Sequence, residues 1–179
     1  IDLQQNKGII FKENKGQIHD QNNNPRPDIL FSGESKGLIY HLKKDGLHYQ
    51  IVNVDSWKNT ENFLNDKFIS KNKIQGKTDK TPDKISIYRV DVNWKNTNKN
   101  TKIEVGEQIQ GYENYYNVAK GSKPALNVKS YKSLVYRNIY EGIDLKFYES
   151  SCELEYDFIV QPGADFRQIQ LEYTGAEIS

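Results

Sequence analysis

The chain has one cysteine and no methionine among 179 residues. The single thiol, Cys152, makes no intrachain disulfide, so no covalent framework supports the fold. A chain without methionine does not begin at its own initiator. This predicts that a signal peptide has been removed or that a longer protein has been cut. No apolar run approaches the ~20 residues that a membrane-spanning helix needs, which argues against membrane insertion. No charge of one sign dominates: 25 basic residues face 24 acidic ones, for a net charge of +1. The lysines are dispersed and matched by acids, which argues against a nucleic-acid partner. No Asn-x-Ser/Thr acceptor for glycosylation is present.

What the chain has instead is aromatic and polar. Hydrophobic residues make up 36% and aromatics 12%, with 12 tyrosines. That composition predicts a core of Tyr, Phe, Ile, Val and Leu on half-buried strands. The clearest strand periodicity lies between residues 130 and 173. Ile143, Leu145 and Phe147 alternate with Asp144, Lys146 and Tyr148, and Leu154, Tyr156 and Phe158 alternate with Glu153, Glu155 and Asp157. Alternation of this kind buries one face of a strand and wets the other. Folding the pair about Ser150-Ser151 predicts a hairpin with Phe147 opposite Leu154, Leu145 opposite Tyr156 and Ile143 opposite Phe158. Lys146 then faces Glu155, and Asp144 faces Asp157.

Further strands are predicted at 29–32, 37–42, 47–52, 85–94, 102–105 and 168–173. Lys44-Asp45-Gly46 serves as a hairpin turn. Asn14-Lys15-Gly16 reads as a turn with Gly16 at positive φ, 22–27 as a loop, and 161–165, Gln-Pro-Gly-Ala-Asp, as a tight bend. Residues 53–84 read as a long surface excursion with two helical turns over 61–68, and 119–129 as a connection. Strands joined by turns, with little helical period, predict an all-β, antiparallel β-sandwich of two packed sheets. It forms one domain over 1–179, or two subdomains meeting near residue 85. A final strand followed at once by the end of the chain predicts that more protein follows.

The segments FKENKGQ (11–17), KKDGLHY (43–49), YRVDVNW (88–94), GYENYY (111–116), 127–148 and 154–177 together resemble an uncharacterised domain. That domain stands at the N-terminus of large secreted or surface proteins of Bacteroidetes. Their later parts carry SBBP repeats and gliding-motility or type IX sorting modules. Glu141 and Phe166 depart from the family pattern, where proline is usual at both positions. The resemblance implies an extracellular or cell-surface location, downstream domains in the same chain and no assigned activity.

Several constellations are chemically suggestive. Asp144 and Asp157, with Glu153 and Glu155, offer oxygens to a calcium ion or an acid pair to glycoside hydrolysis. The bland alternative is a solvated strand face countered by Lys146 and Arg137. His41 and His48 flank one hairpin and raise a two-histidine zinc site, though no third ligand is evident. Trp57, Trp94, Tyr112, Tyr115 and Tyr116 form either an aromatic platform or part of the core. Glu13, Asn14 and Gln17 form a compact loop that either binds a ligand or pins the first strand. No cofactor motif and no Ser-His-Asp or nucleophile-elbow pattern is present. The expected function is a non-enzymatic extracellular module that recognises polysaccharide or a cell-surface protein. The alternatives are a glycan hydrolase using the 143–158 acids and a cap on downstream β-repeats.

Overall fold

The computed structural model describes residues 9–35, 38–59, 80–116, 118, 121–151 and 153–175. In chain order the strands are β1 (Phe11–Glu13), β2 (Ile29–Ser35), β3 (Leu38–Lys43), β4 (Gly46–Asn59), β5 (Lys80–Trp94), β6 (Lys102–Val105) and β7 (Glu113–Tyr115). They continue with β8 (Ala125–Val128), β9 (Ser130–Tyr131), β10 (Ser133–Tyr140), β11 (Ile143–Ser150), β12 (Glu153–Val160) and β13 (Leu171–Thr174), with a 3-10 turn at Phe166–Gln168 before the last. A seven-stranded sheet has the order β13-β5-β4-β3-β2-β1-β9, and a four-stranded sheet the order β12-β11-β10-β6. β7 and β8 pair as a separate ribbon. Every strand pair is antiparallel. The chain is therefore an all-β antiparallel sandwich.

Strict alternation builds the core. Tyr40 and Leu42 on β3 and Leu47 on β4 point inward from the large sheet. Ile143, Leu145 and Phe147 on β11 point inward from the small one. Trp94 lies between them, its ring centroid 5.0 Å from Tyr136 and 6.0 Å from Phe147. Each such side chain contributes roughly 1.5–3 kcal/mol through burial. The core tyrosines keep their hydroxyls bonded, as buried polar groups must. Tyr40 donates to the Ile10 carbonyl at 2.6 Å and Tyr136 to the Lys43 carbonyl at 2.8 Å. The second bond ties the two sheets together, and burial holds the Tyr136 phenol far above its ordinary range. Gly33 faces Tyr40 across the β2–β3 ladder, where a methyl group would overlap the Tyr40 hydroxyl and the Ile10 carbonyl.

The 143–158 hairpin forms, in a different register. Ile143 pairs with Val160, Asp144 with Ile159, Leu145 with Phe158, Lys146 with Asp157 and Phe147 with Tyr156. The offset from the expected pairing is two residues, which leaves every side chain on its expected face. Facial alternation cannot distinguish registers two apart; the turn does. Ser150 pairs with Glu153, and Ser151 takes φ 53° in the tight connection. Asp144 and Asp157 are therefore not opposed.

Other differences have local causes. Residues 53–59 and 80–84 belong to strands, because β4 and β5 run on as a two-stranded arm beyond β3 and β13. Strand β5 passes through residue 85 without a break. The suggested helical turns at 61–68 and Cys152 lie outside the described residues. Strand β8 falls within the predicted 119–129 connection, and residues 166–168 form the 3-10 turn ahead of a shorter closing strand. The Pro162-Gly163 bend has Gly163 at φ 85°, with Ala164 N–H bonded to the Gln161 carbonyl at 3.0 Å. These are the marks of a type II turn.

Candidate functional site

The outer face of the seven-stranded sheet carries the chemistry. Its registers align one residue from each strand into a continuous row: Ser130, Lys12, Ser32, His41, His48, Asp91 and Thr174. Each is the outward neighbour of an inward apolar residue, so strand alternation alone makes the row polar.

One half of this row floors a cleft of about 420 Å³, lined by Ile10, Lys12, Ser32, Glu34, Ile39 and His41. Gln17 and Ile18 wall one side, and Glu113 and Tyr115 of β7 wall the other. The size falls within the range of small-ligand sites. Lys12 donates to Glu113 Oε2 at 2.7 Å and to Tyr115 Oη at 2.8 Å. Tyr115 Oη also donates to Glu113 Oε2 at 2.5 Å. Burial pulls the Lys12 ammonium down, but the bonds to Glu113 and Tyr115 outweigh it and hold the pKa above its ordinary value. Lys12 is therefore a fixed cation, and Tyr115 is a held aromatic wall.

The other half of the row is a buried histidine pair. His41 and His48 pair directly across β3 and β4, with ring centroids 4.5 Å apart. His48 is only 1% exposed. Among the described residues neither Nδ1 has a hydrogen-bond partner, and His48 Nδ1 stands 3.8 Å from Asp91 Oδ1. Arg89 instead holds that carboxylate, with Nη2 2.7 Å from Oδ1. Desolvation, with repulsion from Arg26 and Arg89, pushes His41 down to about 4. Desolvation, the neighbouring His41 and Arg89 push His48 down to about 3. Both imidazoles are neutral at physiological pH. Among the described residues, no group of three or more His, Cys, Asp or Glu is placed to hold a metal ion.

The candidates named from sequence are scattered. Gln17 and Tyr115 both line the cleft. Asn14 turns inward on the fold: its Nδ2 donates to the carbonyls of Arg26 and Ile29 at 2.8 Å each, and its Oδ1 accepts from Gly16 N–H at 2.9 Å. Glu13 accepts from Lys129 N–H at 2.8 Å, and Gln17 Nε2 donates to the Glu13 carbonyl at 2.6 Å. The Glu13–Gln17 loop thus pins β1 to its neighbours, and Gly16 sits at φ 103°. Trp94 is 6% exposed and cannot serve as a surface platform, because it packs in the inter-sheet core against Tyr136 and Phe147. Tyr116 is 67% exposed and stands apart from Trp94. Trp57 lies on β4, and its side chain falls outside the described residues.

The two calcium candidates are also separate. Asp144 accepts from Arg137 Nη1 at 2.6 Å and from Asn138 N–H at 2.7 Å. These bonds hold a bulge in which three residues of β10, Arg137 to Ile139, lie opposite one residue of β11, Asp144, with Asn138 at φ 53°. Asp157 faces Lys146. Neither these two nor Glu153 and Glu155 line the cleft. Sequence reasoning missed Lys12, Ser32, Glu34 and Glu113. The alternation of β2 and the His41–His48 pairing held the signal for Ser32 and Glu34, whereas β7 carries no comparable pattern.

Fold and site together define an all-β sandwich with a ligand-sized cleft on the outer face of its larger sheet. Residues 11–179 match the family described as Domain of unknown function (DUF7948), and the chain belongs to that family. No curated protein and no solved structure matches the chain.

Proposed function

We propose that the chain is a non-enzymatic recognition module of an extracellular surface protein and that it binds a glycan unit in the outer-face cleft. One observation carries this reading: isoleucines 10, 18 and 39 share the cleft with Lys12, Ser32, Glu34, Gln17 and the Glu113–Tyr115 wall. A sugar ring needs this mixture, with apolar surface for its C–H face and fixed donors and acceptors for its hydroxyls. The bonds among Lys12, Glu113 and Tyr115 set those groups in place before a ligand arrives. Such preorganisation lowers the ordering cost of binding.

Glycan-array binding by the whole chain, repeated with Lys12→Ala and Tyr115→Ala, tests the reading. Binding that both variants lose supports it. Binding that neither variant weakens, or no glycan bound at all, overturns it. The hydrolase reading survives in altered form, because two carboxylates, Glu34 and Glu113, share this cleft. New reducing ends released from an array hit, and abolished by Glu34→Gln, would favour it over simple binding.

A further inference from the structure

Outside the β4–β5 arm, where both strands are edges, the described sheets end on four strands: β13 and β9 in the large sheet, β12 and β6 in the small one. Three are short, with four residues in β13, two in β9 and four in β6. Short edges resist pairing with other chains. β12 has eight residues, all of them paired on one side to β11. Among the described residues no strand lies on its other side. Alternate N–H and C=O groups of an edge strand point outward and can accept another strand.

The two faces of β12 state what such a strand must carry. On the outer face stand Glu153, Glu155 and Asp157, all exposed. The adjoining positions of β11 supply one ammonium, Lys146, opposite Asp157. Tyr148 lies between the acids: its hydroxyl is 3.2 Å from Glu155 Oε2, and its bond to Asp157 helps push the phenol up to about 12. On the inner face, Tyr156 and Val160 remain 37% and 40% exposed, although the Tyr156 hydroxyl is hydrogen-bonded to Tyr173 of β13. An added strand would cover this inner row with its own apolar side chains. Its outward side chains would meet three carboxylates.

We propose that β12 is a docking edge for an extended polypeptide segment in which apolar residues alternate with lysine or arginine. The segment joins the small sheet as a fifth strand. This surface is on the opposite sheet from the cleft and does not depend on glycan binding. A second copy of the chain is the wrong occupant. Antiparallel pairing of β12 with itself sets Glu155 against Asp157 or against Glu155, and like charges directly opposed are unfavourable. The acids therefore select between partners as well as attract one.

The test uses the whole chain and the peptide Lys-Val-Lys-Ile-Lys-Val-Lys, followed by fluorescence polarisation and amide hydrogen exchange. Two controls are a peptide with proline at the central position and a peptide with glutamate at every lysine position. The expected result is saturable binding with exchange protection confined to 153–160. The proline peptide keeps the charge but cannot complete the ladder, and should bind at least about tenfold more weakly. Exchanging Glu155→Lys and Asp157→Lys together should weaken the lysine peptide about tenfold. The same variant should gain binding to the glutamate peptide, which shows that it is folded. Equal binding of the proline peptide would reduce the effect to charge attraction and overturn the proposal. Protection at other segments, absence of binding, or dimerisation of the free chain through β12 would also overturn it.

Discussion

Acid should loosen this protein earlier than its carboxylates alone would allow, and the buried histidine pair is the reason. His41 and His48 titrate at about 4 and about 3 in the folded chain, against an ordinary value of 6.5. A depressed histidine is neutral in both states at high pH and contributes nothing to stability there. As pH falls through the unfolded value, the unfolded chain takes up protons that the folded chain refuses, so stability falls until the folded values are reached. At about pH 5 the unfolded imidazoles are almost fully protonated and the folded ones almost wholly neutral. The cost is about 2 kcal/mol per histidine, or about 4 kcal/mol for the pair. For a chain of this size that lowers the Tm by roughly 8–16 °C between about pH 7.5 and about pH 5. The lowered carboxylates act below this window. Asp28 is held down to about 2 by its bond to Arg26, and Asp91 and Asp165 are also lowered, so they lose stability only at lower pH. Thermal unfolding monitored by circular dichroism across that range measures the slope. Exchanging His41→Gln and His48→Gln together should flatten it, whatever the variant's absolute stability. An equally steep slope in the double variant, or a flat one in the parent chain, would refute the reasoning.

Other perturbations separate fold from surface. Gly33→Ala forces a methyl group into the Tyr40 hydroxyl and the Ile10 carbonyl and should cost about 3 kcal/mol in urea unfolding through overpacking and a lost hydrogen bond. Trp94→Ala should cost about 3–5 kcal/mol, while Tyr116→Ala should stay within about 0.5 kcal/mol, because only the first empties the inter-sheet core. Asp144→Ala removes the acceptor for both Arg137 and Asn138 and should destabilise by about 1–3 kcal/mol. Its hydrogen-exchange signature should be faster exchange over 136–140.

Much of the architecture was legible because strands advertise their faces. Ile143, Leu145 and Phe147 are buried as their alternation requires, and Lys102–Val105 forms a strand with the expected bounds. Register was less legible. A shift of two residues conserves the face of every side chain, so the choice fell to Ser151 and its positive φ, a local property that alternation does not encode. The β4–β5 arm was hidden because its far end is rich in Lys, Asn, Asp and Thr, residues that read as loop. The site was harder still. Lys12, Ser32 and His41 become neighbours only through two strand pairings, and Glu113 and Tyr115 reach them from a separate ribbon. Motifs that looked functional, such as Glu13–Gln17 and Asp144, direct their hydrogen bonds into the backbone. Specific side-chain chemistry at a turn or bulge can mark a fold as readily as an activity.

Amide chemical-shift mapping with an oligosaccharide taken from the glycan array tests the central claim most directly. Perturbations clustered at Lys12, Ser32, Ile39, His41 and Tyr115, with little change at Asp144 or 153–157, are the expected result. Shifts centred on the acidic face of β11 and β12, with the Lys12 cleft silent, would contradict it.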